Sequence, residues 1–225
     1  MSPTAIGPAE EGAANGVVDL LVETEAEAAQ VARRYLSYFQ GRLPPPPGTE
    51  GRGAADARQL ALRHAVPSKR TRTYDMRKLI TTLADEASWL ELRGGHAKGM
   101  VSGLCRIDGH PLGVLANSTD GLLGGAIDSD GALKAARFME LCDAFELPLL
   151  FLCDTPGFMV GAEHERTAAV RKLSRCVNRI VTRTPCPLSD GIDRMRRLFR
   201  ATDKRTFESP VFANTFAACS RSRPA

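Results

Sequence analysis

The segment Leu147-Pro-Leu-Leu-Phe-Leu-Cys-Asp-Thr-Pro-Gly-Phe158 decides the fold class of this sequence. Residues 148–153 form a short, continuous apolar run, which is typical of a strand that is buried on both faces. Residues 154–157 then have the composition of a turn. The segment therefore predicts a buried strand whose carboxyl end leads directly into a tight turn.

A helix is expected on each side of this strand. Asp128, Ser129 and Asp130 supply helix N-cap chemistry. An apolar stripe with helical spacing follows, which ends near Phe145 and consists of Ala132, Ala135, Ala136, Met139, Cys142 and Phe145. After the turn, a second helix is expected to bury the stripe of Val170, Leu173, Val177 and Ile180. The order strand, helix, buried strand, helix indicates a βαβ unit with a right-handed crossover, and the predicted fold class is α/β.

Upstream of this unit, the pattern predicts one helix and three strands. Residues 76–84 carry apolar side chains on one helical face. The strand candidates are residues 88–92, 100–107 and 111–117. Asp108-Gly109 separates the last two, and this dipeptide strongly favours a β-hairpin. Nearer the amino terminus, residues 17–22 are apolar and predict the end of a strand.

A further helix is predicted from Thr24 to about Gln40. Thr24 and Glu27 have the spacing of a capping box. The proline run at residues 44–47 prevents the helix from continuing. Residues 44–70 are then rich in proline and glycine and predict a linker between two domains.

Composition restricts the class of protein. The 225 residues carry a net charge of +4, and no apolar run approaches the ~20 residues that a membrane-spanning helix needs. The segment 1–16 lacks the basic-then-apolar order of a secretory signal, so we expect a cytoplasmic protein. The basic residues after Gly191 could attract nucleic acid, but no recognition helix with an apolar face accompanies them. Neither a membrane nor a nucleic acid is therefore the expected partner.

Metal chemistry is not expected either. The six cysteines form no CxxC pair, and none of the four histidines has a second ligand at a useful spacing. Cys105, Cys142 and Cys153 follow leucines in apolar runs, where a free cysteine behaves as a small hydrophobic residue.

Two glycine-containing loops are the remaining candidates for chemistry. Gly124-Gly125-Ala126 precedes the cap at Asp128, and residues 154–158 follow the buried strand. Ligands of open α/β sheets bind beyond the carboxyl ends of the strands, and amides at a helix N-terminus suit an oxyanion. Glycine lets a ligand approach the main chain. The alternative is that these glycines serve only the turn conformation, and the residues alone leave both possibilities open.

Several motifs resemble the carboxyltransferase β subunits of biotin-dependent acyl-CoA carboxylases. The match extends over about residues 17–175, and its segments are Asp19-Leu-Leu-Val, Ala32-Arg-Arg-Tyr-Leu-Ser-Tyr-Phe, Tyr74-Asp-Met-Arg-Lys-Leu-Ile, Gly125-Ala-Ile-Asp-Ser-Asp, Lys134-Ala-Ala-Arg-Phe and Phe151-Leu-Cys-Asp-Thr-Pro-Gly-Phe-Met-Val-Gly. The resemblance implies a crotonase-like (ClpP-like) β-β-α superhelix with an incomplete C-terminal half-domain. It divides the chain into a disordered leader (1–16), a remnant of the N-terminal half (17–43), the linker (44–70), the start of the biotin-side half (71–187) and a divergent basic tail (188–225).

The resemblance also implies a reaction and partners. A carboxyl group would pass from carboxybiotin, held on a biotin carboxyl carrier or biotin carboxylase subunit, to the α-carbon of a short acyl-CoA. Further copies of the subunit would form a homo-oligomer. Gly157 and Phe158 are the best candidates to line the biotin side, and Gly124 and Gly125 are weaker ones; no catalytic side chain and no metal are assigned.

Two departures from the family bear on activity. Most of the N-terminal half is missing, and no apolar strand with a glycine-rich turn follows Pro187. Both halves of the oxyanion hole are therefore expected to be incomplete, and the chain is expected to be inactive alone. One hypothesis is that the tail comes from a shifted reading frame. The alternative function is a non-catalytic interaction module that assembles with an intact carboxyltransferase.

Overall fold

A four-stranded sheet lies between helices in the computed structural model, which describes residues 7–44, 62, 65–67, 72–166 and 168–182. In chain order the elements are α1 (Ala9–Ala14), α2 (Glu25–Ser37), α3 (Met76–Leu83), β1 (Leu90–Leu92), β2 (Met100–Ile107), β3 (His110–Asn117), α4 (Ser129–Ala144), β4 (Leu149–Leu152), α5 (Ala162–Arg166) and α6 (Ala169–Thr182). The predicted α/β class is confirmed.

The sheet has the strand order β1-β2-β3-β4. β2 pairs with β1 and with β3 in antiparallel fashion, whereas β3 and β4 are parallel. The hairpin between β2 and β3 is confirmed, since Asp108 and Gly109 both have positive φ, 54° and 76°, as a type I′ turn requires. α4 connects the parallel pair, so β3, α4 and β4 form the predicted βαβ unit.

Side chains alternate along β2 and β3 between two cores, one on each face of the sheet. Leu104 and Leu115 belong to the core that includes α4, whereas Cys105 and Val114 belong to the core that includes α3. α4 lies very close to the sheet: a Cβ on Gly113 would be 2.6 Å from the Sγ atom of Cys142. Both layers therefore fix the position of β3, the strand that leads to the first candidate loop.

α2 packs against the β1–β2 end of the molecule. The backbone N–H of Glu27 donates to Thr24 Oγ1 over 3.2 Å, which confirms the predicted cap, although the helix ends at Ser37 and not at Gln40. Arg34 donates from Nη2 to the Trp89 carbonyl oxygen over 2.7 Å. These contacts hold the predicted N-terminal remnant on the same body as the sheet.

Two predictions for the amino-terminal region were wrong. Residues 17–22 do not form a strand. The adjacent β1 ends at Leu92, since Arg93 adopts φ 55°, and the backbone bond from Arg93 N to Asp19 O, 2.8 Å, does not extend into a ladder. The predicted disordered leader contains α1, which contacts the β1–β2 loop: His96 Nδ1 lies 3.0 Å from the Ala14 carbonyl oxygen.

The predicted apolar stripe of α6 was wrong in two of its described members. Val170 and Val177 are 66% and 43% exposed, whereas Ala169 and Cys176 are buried and Leu173 packs against the core. The buried face is therefore shifted by one position from the predicted face, because small side chains permit a closer approach to α4.

Some predictions for individual residues and segments were also wrong or lie outside the described residues. Cys153 was expected to behave as a small hydrophobic residue, but it is exposed because it lies just after the last residue of β4. β4 is fully buried on only one face, because Leu149 and Phe151 keep partial exposure. The side chain of Ile180, the basic tail and most of the linker lie outside the described residues.

Candidate functional site

The two predicted loops meet beyond the carboxyl ends of β3 and β4. Ile127, from the loop after β3, forms a parallel bridge with Phe158, from the loop after β4. The Ile127 N–H donates to the Gly157 carbonyl oxygen over 3.0 Å, and the Met159 N–H donates to the Ile127 carbonyl oxygen over 2.8 Å. The structure therefore brings the two loops together at the sheet edge where ligands of open α/β sheets bind.

Gly125 is the point of closest approach between the loops. It is buried and has φ 86°, and a Cβ at this position would be 2.5 Å from the Asp154 carbonyl oxygen. Its own carbonyl oxygen accepts a hydrogen bond from Asn117 Nδ2 over 3.2 Å. Gly124 differs, because it is exposed and a Cβ there would meet no atom within 4 Å. Only Gly125 is therefore required for the two loops to pack.

The amides of the four predicted residues differ in their hydrogen bonding. The Gly124 N–H donates to the Gly121 carbonyl oxygen over 3.0 Å, and the Gly157 N–H donates to Thr155 Oγ1 over 3.1 Å. Within the described part of the chain, the N–H groups of Gly125 and Phe158 have no acceptor. Phe158 pairs with Ile127 so that its own N–H points away from the bridge. Of the four predicted residues, Gly125 and Phe158 are therefore the two whose N–H groups have no acceptor among the described residues.

The helix N-termini do not add the expected positive potential at the second loop. α5 begins at Ala162, four positions after Phe158, and contains only five residues. In the first loop, the Asp128 carboxylate accepts a hydrogen bond from Gly131 N over 2.7 Å and so caps α4. Any anion at this edge would therefore depend on individual loop amides.

Tyr74 supports the second loop from the side. Its hydroxyl donates to Asp154 Oδ2 over 2.8 Å, and its carbonyl oxygen accepts from Thr119 Oγ1 over 3.0 Å. Burial, followed by the hydrogen bond to Asp154, raises the pKa of Tyr74, so the hydroxyl keeps its proton at neutral pH. Tyr74 thus joins the loop after β3, through Thr119, to the loop after β4, through Asp154.

The comparison with known proteins identifies the family. The carboxyl transferase domain family matches residues 3–187. This chain belongs to that family.

Relatives of this carboxyl transferase domain are carboxylases. An uncharacterized carboxylase, YngE, from Bacillus subtilis is 37% identical over 78% of the chain and 34% of its own length. The biotin-dependent long-chain acyl-coenzyme A carboxylase β4 subunit of Mycobacterium tuberculosis is 33% identical over the same shares. The chain thus spans about a third of the length of these curated relatives.

Solved structures of a carboxylase and of a transcarboxylase share the fold of this domain. A single-chain, multi-domain long-chain acyl-CoA carboxylase is 44% identical, with a TM-score of 0.72 over 82% of this chain and 18% of that one. The transcarboxylase 12S hexamer, with methylmalonyl-coenzyme A bound, is 26% identical, with a TM-score of 0.72 over 82% of this chain and 36% of that one. The mixed α/β fold of carboxyltransferases is therefore confirmed over the matched part.

Sequence reasoning about this carboxyl transferase domain missed two polar side chains, the half-buried Tyr74 and the buried Lys134. Tyr74 opens a quoted motif, but its partner Asp154 lies 80 positions away, and no spacing rule links them. Lys134 is 2% exposed and donates from Nζ to the carbonyl oxygens of Arg93 and His96, each over 2.8 Å. Burial lowers the pKa of Lys134 to about 8. This lysine positions the β1–β2 loop and does not reach the candidate site.

Over the described ranges, no three histidine, cysteine, aspartate or glutamate side chains cluster as metal ligands would. Those ranges also contain no helix that is long and apolar enough to cross a membrane.

Proposed function

We propose that this chain supplies the biotin-facing loops of a carboxyltransferase, which transfers a carboxyl group from carboxybiotin to the α-carbon of a short acyl-CoA. The observation that carries the proposal is the pairing of the two loops through Ile127 and Phe158, which leaves the Gly125 and Phe158 amides without acceptors in the described chain. Membership of the carboxyl transferase domain family supports the same reaction.

The proposed roles follow from these geometries. The N–H groups of Gly125 and Phe158 would hold the ureido oxygen of biotin, and preorganised amides of this kind stabilise developing negative charge by several kcal/mol. Gly157 would leave space for the ring, because a Cβ there would meet no atom within 4 Å, whereas Gly124 would make no contact with the ring. Biotin would arrive as carboxybiotin on a partner carrier protein and would supply the carboxyl group.

Activity of the chain alone is not expected under this proposal. The chain spans 34% of the length of its curated relatives, and the acyl-CoA side of the proposed reaction would lie outside the part of the carboxyltransferase that it spans. The proposed partners are therefore an acyl-CoA, a biotin carrier or biotin carboxylase subunit, and further carboxyltransferase subunits. The crotonase-like superhelix and the assignment of residues 71–187 to the biotin-side half belong to the same proposal.

The test places Gly157→Val and Gly157→Ala at the equivalent glycine of an intact relative. Carboxylation of acetyl-CoA and propionyl-CoA would be measured with labelled bicarbonate, carrier and biotin carboxylase. The valine side chain would fill the space proposed for the ring and keep the ureido oxygen from the Phe158 amide, so turnover is expected to fall at least about 100-fold, and the smaller alanine should cost less. Undiminished malonyl- or methylmalonyl-CoA formation by the valine variant would contradict the proposed site.

The alternative is an interaction module that binds an intact carboxyltransferase without catalysis. The exposed apolar side chains after β4 favour it: Val160 is 81% exposed, Val170 is 66% exposed and Val177 is 43% exposed. Co-purification with a full-length subunit that changes neither its turnover nor its biotin dependence would favour the module. A carrier-dependent gain in turnover upon adding the chain would favour the carboxyltransferase.

A further inference from the structure

A cavity of about 440 Å³ lies on the other side of the described body, between α2 and the sheet. Its size falls within the range of small-molecule sites. None of the four candidate glycine and phenylalanine positions lines it. Its walls come from the segment before α2, from α2, from β1 and β2, and from α4. The lining residues include Asp19, Ala28, Arg93, Arg137, Phe138 and Leu141.

One end of the cavity is positively charged. Arg93 is only 8% exposed, and its Nε lies 2.7 Å from Asp19 Oδ1. The ion pair with Asp19 uses only Nε of Arg93, and among the described residues no acceptor is found for its two terminal guanidinium nitrogens. Arg137 lines the same cavity, so two arginines face one aspartate and the lining carries a net charge of +1. A buried guanidinium with free donors favours a carboxylate, which it can bind through two parallel hydrogen bonds.

The rest of the cavity is apolar. Its remaining wall consists mainly of aliphatic and aromatic side chains, namely Leu20, Val22, Val31, Leu92, Phe138 and Leu141. Ala28 and Ala32 face it from α2 and are both exposed, so the small side chains of this helix leave the cavity open. An apolar cavity with one charged end suits a ligand that has an apolar chain and one charged group.

We propose that this cavity binds a medium-chain aliphatic monocarboxylate, with the carboxylate on Arg93 and the chain along the apolar wall. The carboxylate would occupy the terminal nitrogens of Arg93, since Asp19 already occupies the Nε side. Each CH₂ group of the aliphatic chain that is buried against this wall adds to the affinity. This binding does not depend on the proposed carboxyl transfer.

The experiment titrates the full chain with decanoate by isothermal titration calorimetry, with decanol as the uncharged analogue. Decanoate is expected to bind with one site per chain and at least tenfold more tightly than decanol. Ala28→Trp fills the mouth of the cavity and should weaken decanoate binding at least tenfold. Ala29→Trp, at a neighbouring exposed position that does not line the cavity, is the matched control and should bind as the wild type does.

A third variant tests the charged end. Arg93→Gln should bind decanoate and decanol equally; if it does not fold, the tryptophan pair and the decanol comparison still decide. The proposal is overturned if decanoate at concentrations up to about 1 mM gives no binding, or if Ala28→Trp binds like Ala29→Trp. It is also overturned if sedimentation shows a dimer that Ala28→Trp alone converts to a monomer, because a second copy of the chain would then cover the cavity.

Discussion

One added methyl group should separate the roles of the two adjacent glycines, Gly124 and Gly125. Both have positive φ, 53° and 86°, so alanine at either position costs about 1–2 kcal/mol for the left-handed backbone. At Gly124 that is the whole cost, because the new Cβ meets no atom within 4 Å. Gly124→Ala is therefore a control for backbone strain at the same loop.

At Gly125 the same methyl group forces the loops apart. Its Cβ would lie 2.5 Å from the Asp154 carbonyl oxygen, whereas real Cβ contacts stay above 3.0 Å, so one of the two backbones must move. The bond from Asn117 to the Gly125 carbonyl oxygen and the bond from Tyr74 to Asp154 are then weakened. Each contributes about 1 kcal/mol. Together with the backbone strain, the total destabilisation of Gly125→Ala is expected to be about 3–4 kcal/mol.

Urea unfolding of the full chain measures the stability of both variants, and a titration with biocytin measures the site. Because two hydrogen bonds are weakened in one variant only, Gly125→Ala should be about 2 kcal/mol less stable than Gly124→Ala. It should also lose the biocytin binding that Gly124→Ala retains. If the two variants have the same free energy of unfolding within experimental error and bind biocytin alike, the contact between the loops does not position the site.

Three further substitutions test the polar side chains of Lys134 and Tyr74 and the packing of α4 on the sheet. Burial lowers the pKa of Lys134 to about 8, so between about pH 8 and 10.5 the unfolded chain binds more protons than the folded chain. The free energy of unfolding of the wild type should therefore rise across this pH window. Urea unfolding at each pH should show a rise on the order of 1–3 kcal/mol relative to Lys134→Met. Tyr74→Phe removes the donor to Asp154 and should cost about 1–2 kcal/mol in unfolding, with loss of biocytin binding and an intact circular dichroism spectrum. Gly113→Ala places a Cβ 2.6 Å from Cys142 Sγ and should cost about 1–3 kcal/mol by overpacking, and a thermal melt equal to the wild type would show that α4 can move away.

Features that depend on neighbouring residues could be predicted from the sequence. Asp108-Gly109 determines its hairpin through backbone conformation alone, and Thr24 with Glu27 determines the start of α2 in the same local way. The candidate loops could also be located, because a buried strand followed by Asp154-Thr-Pro-Gly defines its own carboxyl end.

Features that depend on distant residues could not be predicted. Residues 17–22 have the apolar pattern of a strand, but Arg93 leaves the extended conformation, so the segment has no ladder to join. The buried face of α6 contains Ala169 and not Val170, and helical spacing alone does not distinguish these two faces. Gly125 and Phe158 were among the four predicted residues. The sequence does not show that the amides of Gly124 and Gly157 already donate to acceptors within their own turns, because those bonds form only in the folded loops.

The measurement that tests the biotin-side site most directly is a titration of the ¹⁵N-labelled chain with biocytin, followed by the backbone amide resonances. The resonances of Gly125 and Phe158 are expected to move most and to saturate together, and Gly125→Ala should abolish both shifts. Saturable shifts confined to other residues, or no shifts at concentrations of about 1 mM, would contradict the assignment of these two loops to biotin.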